Sequence, residues 1–138
     1  MRMLNPNLIS RRLTSYSALT MKDSSIAVSL HPYFKARPGK LAEIRAALPA
    51  FVARTATEEA NLYYDFTING DEIFCREAYR NADGLLKHLT NVGALLEQLL
   101  KIADLTRLEV HGPAAELEKL KGPLAHLKPA WFIRESGV

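Results

Sequence analysis

Leu62-Tyr63-Tyr64-Asp65-Phe66-Thr67-Ile68, then Asn69-Gly70-Asp71, then Glu72-Ile73-Phe74-Cys75-Arg76-Glu77-Ala78-Tyr79 follow one another without interruption. The outer runs are rich in β-branched and aromatic residues, which fit a pleated, half-buried surface. The Asn-Gly-Asp between them tolerates positive φ and closes antiparallel hairpins. A β-hairpin at the centre of the chain therefore decides what its flanks can be. Upstream, Ser25 to Lys35 alternates in two registers, with Ile26, Val28, Leu30 and Phe34 on one side and Ala27, Ser29, His31, Tyr33 and Lys35 on the other. Pro38-Gly39 breaks that strand. Leu41, Ile44, Leu48, Phe51, Val52 and Thr55 then recur at helical spacing, which predicts a helix of about five turns. Pro49 lies inside it and should kink or divide it near Leu48, because its ring removes a donor and crowds the preceding turn.

Downstream of the hairpin, Asn81 is placed to cap a helix. Leu85, His88, Val92, Leu95 and Leu99 repeat at steps of three and four, with Gly93 as a point of interruption. Leu105 to His111 reads as a fourth strand, ended by Gly112-Pro113. The order strand, helix, strand, strand, helix, strand over residues 26–111 is the ferredoxin-like β-α-β-β-α-β motif of an α+β protein with an antiparallel sheet. Its sheet keeps one face that helices do not cover, so function is to be sought in a cavity and an interface. Ala114 to Lys121 reads as a short charged helix, followed by a Gly122-Pro123 break. The apolar Trp131–Ile133 run is a fifth short strand or an arm across a partner subunit, since alone it would expose unpaired backbone and large apolar groups.

With 138 residues, 48% hydrophobic and 24% charged, the chain has the apolar content for one soluble domain with a substantial core. No stretch approaches the roughly 20 apolar residues of a membrane span. The single Cys75 excludes an intrachain disulfide framework and fits a reducing, cytoplasmic compartment; its plain reading is a buried strand cysteine acting as a small hydrophobe. The net charge of +3 is unevenly placed. Residues 1–22 hold Arg2, Arg11, Arg12 and Lys22 and no acid, which leaves 14 basic and 15 acidic groups on residues 23–138. A body so near neutrality argues against a nucleic-acid surface. Residues 1–22 read as a disordered leader or a start placed too early, with Met21 as the other first residue. Their Arg/Ser/Thr bias superficially matches a transit peptide. Residues 23–138 form one domain, with its core at 26–111 and an extension at 112–138.

The chain has no Gly-rich phosphate loop, no G-x-S-x-G elbow, no C-x-x-C and no H-x-x-x-H. No common cofactor has a local signature, and none is expected. The four histidines, His31, His88, His111 and His126, lie on separate elements, so no metal site is expected either. His88 shares a stripe with leucines and should face the sheet, where an imidazole is a partly desolvated acid/base group. The plainer alternative is a structural histidine bonded to a backbone carbonyl. Glu77 and Tyr79 share one face of their strand. A carboxylate there needs a partner, for which Arg76, Arg107 or a lysine of another chain would serve. Tyr64 and Tyr79 serve equally as core residues with the hydroxyl at an edge. His31, beside Ser29 and Tyr33, belongs to an interface or a pocket.

Phe34-x-x-x-Pro38-Gly39-Lys40, Glu58-Glu59-Ala60-Asn61-Leu62-x-Tyr64, Phe74-x-x-Glu77-x-Tyr79 and Leu86-x-His88-Leu89 together resemble the antibiotic biosynthesis monooxygenase family, including its quinol monooxygenase-like members. The resemblance spans residues 26–111. It implies a dimeric α/β barrel, a homodimer whose sheets pack together while each subunit keeps a cavity between sheet and helices. It also implies oxidation of a phenol or quinol by O₂ without metal or flavin. The protein then supplies a dry pocket, a base and hydrogen bonds that orient the anion. His88 matches the family's helix histidine, Tyr64 its strand-two tyrosine and Glu77 its strand-three acid; these are the catalytic candidates, with Tyr79, His31 and Asn61 as substrate-binding candidates.

Two departures from the family pattern matter: Tyr79 stands where many members have Trp, and Ala60-Asn61 where many have Gly-Cys. A second histidine found in some members falls here near Gly93. Two alternatives follow. One is a non-catalytic small-molecule binding or sensing dimer of the same fold. The other is haem binding or degradation with His88 as axial ligand, against which the missing strand-three Trp weighs.

Overall fold

The computed structural model describes residues 26–138; the reading of residues 1–22 as a leader lies outside them. The elements run β1 (Val28–Ala36), α1 (Leu41–Thr55), β2 (Asn61–Asn69), β3 (Glu72–Tyr79), α2 (Ala82–Leu99), β4 (Ala103–Gly112), α3 (Ala114–Lys121), a 3-10 turn (Ala125–Leu127) and β5 (Ala130–Ile133). The sheet order is β2-β3-β1-β4-β5. Every pairing is antiparallel except β4 with β5. This is the β-α-β-β-α-β arrangement of a ferredoxin-like α+β fold, with a parallel fifth strand added at one edge.

The hairpin forms as its sequence predicts. Asn69 pairs with Glu72, so Gly70 and Asp71 are the turn residues, and Gly70 supplies the positive φ, 61°. Several boundaries differ from the sequence reading. β1 starts at Val28, and Ile26, expected on the core side, is exposed. α1 is continuous through Pro49 and runs 15 residues, nearer four turns than five. The proline costs the helix one backbone bond, on the order of 3 kcal/mol. Burial of Ile44 and Phe51 on either side of it, about 2 kcal/mol each, offsets that cost. α2 likewise runs unbroken through Gly93, because Leu85, His88, Val92 and Leu99 bury one continuous stripe. Trp131–Ile133 lies within a strand of the chain's own sheet, hydrogen-bonded beside β4.

Asn81 caps α2, its Oδ1 accepting from the Gly84 amide at 2.8 Å. Glu116 of α3 adds a second acceptor for the same helix start, 3.0 Å from the Ala82 amide. The C-terminal extension is thereby tied to the helix that carries His88. Buried residues form two apolar clusters, one around Val28, Tyr79, Leu85 and Val110, the other around Phe34, Ile44, Phe51 and Ile73. α2 bridges them, with Leu85 in the first and Val92 in the second. His88 falls between. No helix among the described residues is long and apolar enough to cross a membrane.

Candidate active site

Side chains of β3 alternate, so Cys75, Glu77 and Tyr79 all turn toward the helices and are buried. Tyr64 reaches the same space from β2, and His88 descends onto it from α2. The His88 ring lies between two phenols, with centroids 5.2 Å from Tyr64 and 4.9 Å from Tyr79. Its Nδ1 is 2.9 Å from Oε2 of Glu58, and its Nε2 is 3.4 Å from Oε1 of Glu77. The Tyr79 hydroxyl donates to Glu77 Oε1 at 2.8 Å. Asn91, one turn beyond His88, donates from Nδ2 to Glu58 Oε2 at 2.8 Å. A continuous chain results: Tyr79, Glu77, His88, Glu58, Asn91.

The electrostatics of this chain follow from burial. Glu77 is 3% exposed. Desolvation pushes its carboxyl up to about 7; hydrogen bonds from Cys75 and Tyr79 oppose the rise, and the Glu58 charge adds to it. His88 is held below the ordinary imidazole value, first by burial, with the hydrogen bond to Glu58 acting against it. The Tyr64 and Tyr79 phenols and the Cys75 thiol are pushed far above their usual values, again chiefly by desolvation. At neutral pH these three are neutral donors. A carboxylate only accepts, so the His88 proton sits on Nδ1 facing Glu58, and the Nε2 lone pair faces Glu77. Glu77, divided between acid and carboxylate near pH 7, is the group able to exchange a proton with a bound molecule.

Tyr64, Cys75, Glu77 and His88 line a cavity of about 50 Å³ whose other walls are apolar side chains from β1, both long helices, β4 and the segment after α3. It lies where the two apolar clusters meet. Both His88 ring nitrogens already face carboxylates, so the residues do not fit an axial-ligand role for haem. Among the described residues no three His, Cys, Asp or Glu side chains are grouped as metal ligands.

Of the residues singled out from sequence, the fold brings His88, Tyr64, Glu77 and Tyr79 together and leaves His31 and Asn61 apart. His31 is on the opposite sheet face, with Nε2 2.8 Å from Ser29 Oγ and its ring 4.6 Å from that of His111. Burial holds it below the usual imidazole value, and His111 adds to the effect. Asn61 donates to the Tyr63 and Ala78 carbonyls at the irregular start of β2. Glu77 does not pair with Arg76 or Arg107, which take Asp65 and Glu109 instead. His88 is bonded to Glu58, not to a backbone carbonyl. Glu58 was missed as a site residue because it sits in a turn without periodicity. Asn91, three residues after His88 on one helix face, was the available signal.

The ferredoxin-like sheet thus holds a desolvated carboxyl, an imidazole and a phenol at an apolar cavity, with the Tyr79 hydroxyl bonded to the carboxyl. The chain is similar to the crystal structure of MupZ from Pseudomonas fluorescens, with 40% identity over 82% of this chain and 93% of that one, and a TM-score of 0.79. It belongs to the family of MupZ. It is also similar to Rv0793 from Mycobacterium tuberculosis, at 26% identity over 63% of this chain and 94% of that one, TM-score 0.56. A candidate antibiotic biosynthesis monooxygenase from Chloroflexus aurantiacus shares the fold, at 19% identity over 64% and 93% of the two chains, TM-score 0.50. No family model and no curated protein matches the sequence.

Proposed function

We propose that this protein is a cofactor-independent enzyme that moves protons on an apolar small molecule bound beside Glu77. The observation that carries the reading is a buried carboxyl whose pKa burial pushes up to about 7, hydrogen-bonded to Tyr79 and facing His88 at a largely apolar cavity. Such a group takes or gives a proton at neutral pH, and the Tyr64 phenol, which lines the cavity, is a donor for the anion that forms, while the Tyr79 hydroxyl holds Glu77 by its hydrogen bond. With a phenol or quinol as substrate, deprotonation yields an electron-rich anion that itself reduces O₂, which is the chemistry the family resemblance implies. The same groups support a redox-neutral proton transfer, such as an isomerisation or elimination. The specific observation favouring that second reading is that the polar side chains lining the cavity are one carboxyl, one imidazole, a phenol and a thiol, groups that hold and move protons.

Oxygen-electrode traces on a panel of quinols and polycyclic phenols separate the two. Oxygen consumption that follows substrate and disappears in Glu77→Gln is the expected result for the oxidative reading. Proton-transfer turnover, read as exchange of substrate hydrogen for deuterium from solvent, without oxygen uptake, selects the redox-neutral one.

We also infer a homodimer through the uncovered sheet face. Tyr33, Phe74, His31, His111 and Phe132 form a row of ring contacts across it, including a stacked His111–Phe132 pair at 4.4 Å. A row of that kind is a large apolar patch for a monomer to leave in water. Deleting residues 129–138 removes Phe132 and should raise the dimer dissociation constant at least tenfold in sedimentation velocity. A full-length chain that stays monomeric at micromolar concentration would rule the dimer out.

A further inference from the structure

The buried cavity is small, about 50 Å³, whereas pockets that enclose drug-sized ligands run to roughly 300–1,000 Å³. Outside it, between α2 and the segment after α3, lies an open groove of about 600 Å³. The two share a wall: Leu89, Leu96, Leu100, Leu124 and Leu127 line both. The groove adds one ring, the exposed His126 imidazole, and no lysine or arginine, and its one acidic side chain is Glu97. His126 is the one side chain there able to stack on a ring or pair with an anion; among the rest leucines predominate. Its floor carries Gly93, where an added Cβ would meet no atom within 4 Å. A glycine in mid-helix costs about 1 kcal/mol relative to alanine and here keeps the floor open.

We propose that the groove is the outer half of the binding site, taking the aliphatic tail of a neutral amphiphile whose single oxygen function reaches Glu77 past the five leucines. This rests on the proton-transfer reading of Glu77 for the head of the molecule and adds the chemical class of its tail. The wall is a set of leucine side chains on two separate segments, Leu124 buried and the other four partly exposed. The outer segment is bounded by Gly122 and by Lys128, the latter at φ 50°. Parting that wall joins the two spaces, and a narrow chain needs less parting than a fused ring.

Titration calorimetry with 1-butanol, 1-hexanol and 1-octanol reads the groove directly. Affinity should rise about fourfold per added methylene, the factor expected for a methylene leaving water. Gly93→Phe fills the floor into open space and should leave the melting temperature undiminished while weakening 1-octanol at least tenfold and 1-butanol little. Thr90→Phe, an exposed position on the groove, is the second variant and should act in the same direction. Affinity independent of chain length, or a length dependence unchanged in both variants, overturns the proposal. Length-dependent binding beside full activity in Glu77→Gln would instead overturn the proton-transfer reading and leave the groove standing.

Discussion

Glu77→Gln should lower turnover by a factor of about 10²–10⁴, the range carried by a positioned acid/base group. Glutamine keeps the shape of the side chain and an oxygen to accept from Tyr79, but it exchanges no proton. The wild-type rate should show an ionisation near pH 7 that the variant lacks. Stability provides an independent readout. The folded pKa of Glu77 is raised from 4.5 to about 7, so its contribution is fully present below pH 4.5 and is lost as pH rises through 7. At about 1.4 kcal/mol per pKa unit the loss is on the order of 3 kcal/mol. His88 runs the other way. Its lowered pKa gives a contribution present above pH 6.5 and lost as pH falls, so the wild-type curve alone mixes the two. Urea denaturation of wild type and Glu77→Gln at pH 5 and pH 8.5 isolates the carboxyl. The wild type should gain about 3 kcal/mol relative to the variant on going from pH 8.5 to 5. A difference that does not change with pH would remove the perturbed carboxyl and the mechanism built on it.

Local patterns were legible where one interaction dominates. The Asn-Gly turn, the alternation of β3 and the Asn81 cap each rest on neighbours within a few residues, and the order of elements followed from them. Pro49 does not divide α1 and Gly93 does not interrupt α2, for a shared reason. Helix propensity disfavours both, but the buried stripes on α1 and α2 are worth more than either penalty, and stripe burial depends on what the sheet presents. The same limit applied to the site. His88 was legible as facing the sheet from the stripe on its own helix, and Glu77 and Tyr79 as sharing one face from strand parity, while their selection as site candidates came from the family resemblance. Glu58 approaches His88 from a turn 30 residues away, and no periodicity encodes that meeting. His31 was readable as facing away from the core, but only the sheet order shows that its face is the one opposite the cavity.

Glu58 therefore makes His88 the residue whose loss should reach furthest. His88→Ala removes the ring between Tyr64 and Tyr79, takes the imidazole from a Glu58 carboxylate that is only 10% exposed, and leaves Glu77 facing a void. Stranding such a partner costs about 1–3 kcal/mol, so the variant should melt lower but still fold. Turnover should fall at least a hundredfold, since the Nε2 lone pair opposite Glu77 is gone. A structural histidine and an acid/base histidine separate at the next step. Added imidazole fits the space that the ring vacates and should restore part of the activity in proportion to its unprotonated fraction. Rescue of melting temperature alone would be the signature of a packing role. His88→Gln offers the complementary comparison, because its amide still donates to Glu58: stability should recover while activity stays low. Full turnover in a folded His88→Ala protein would sink the assignment of His88 to the proton path and leave Glu77 and Tyr79 to act without it.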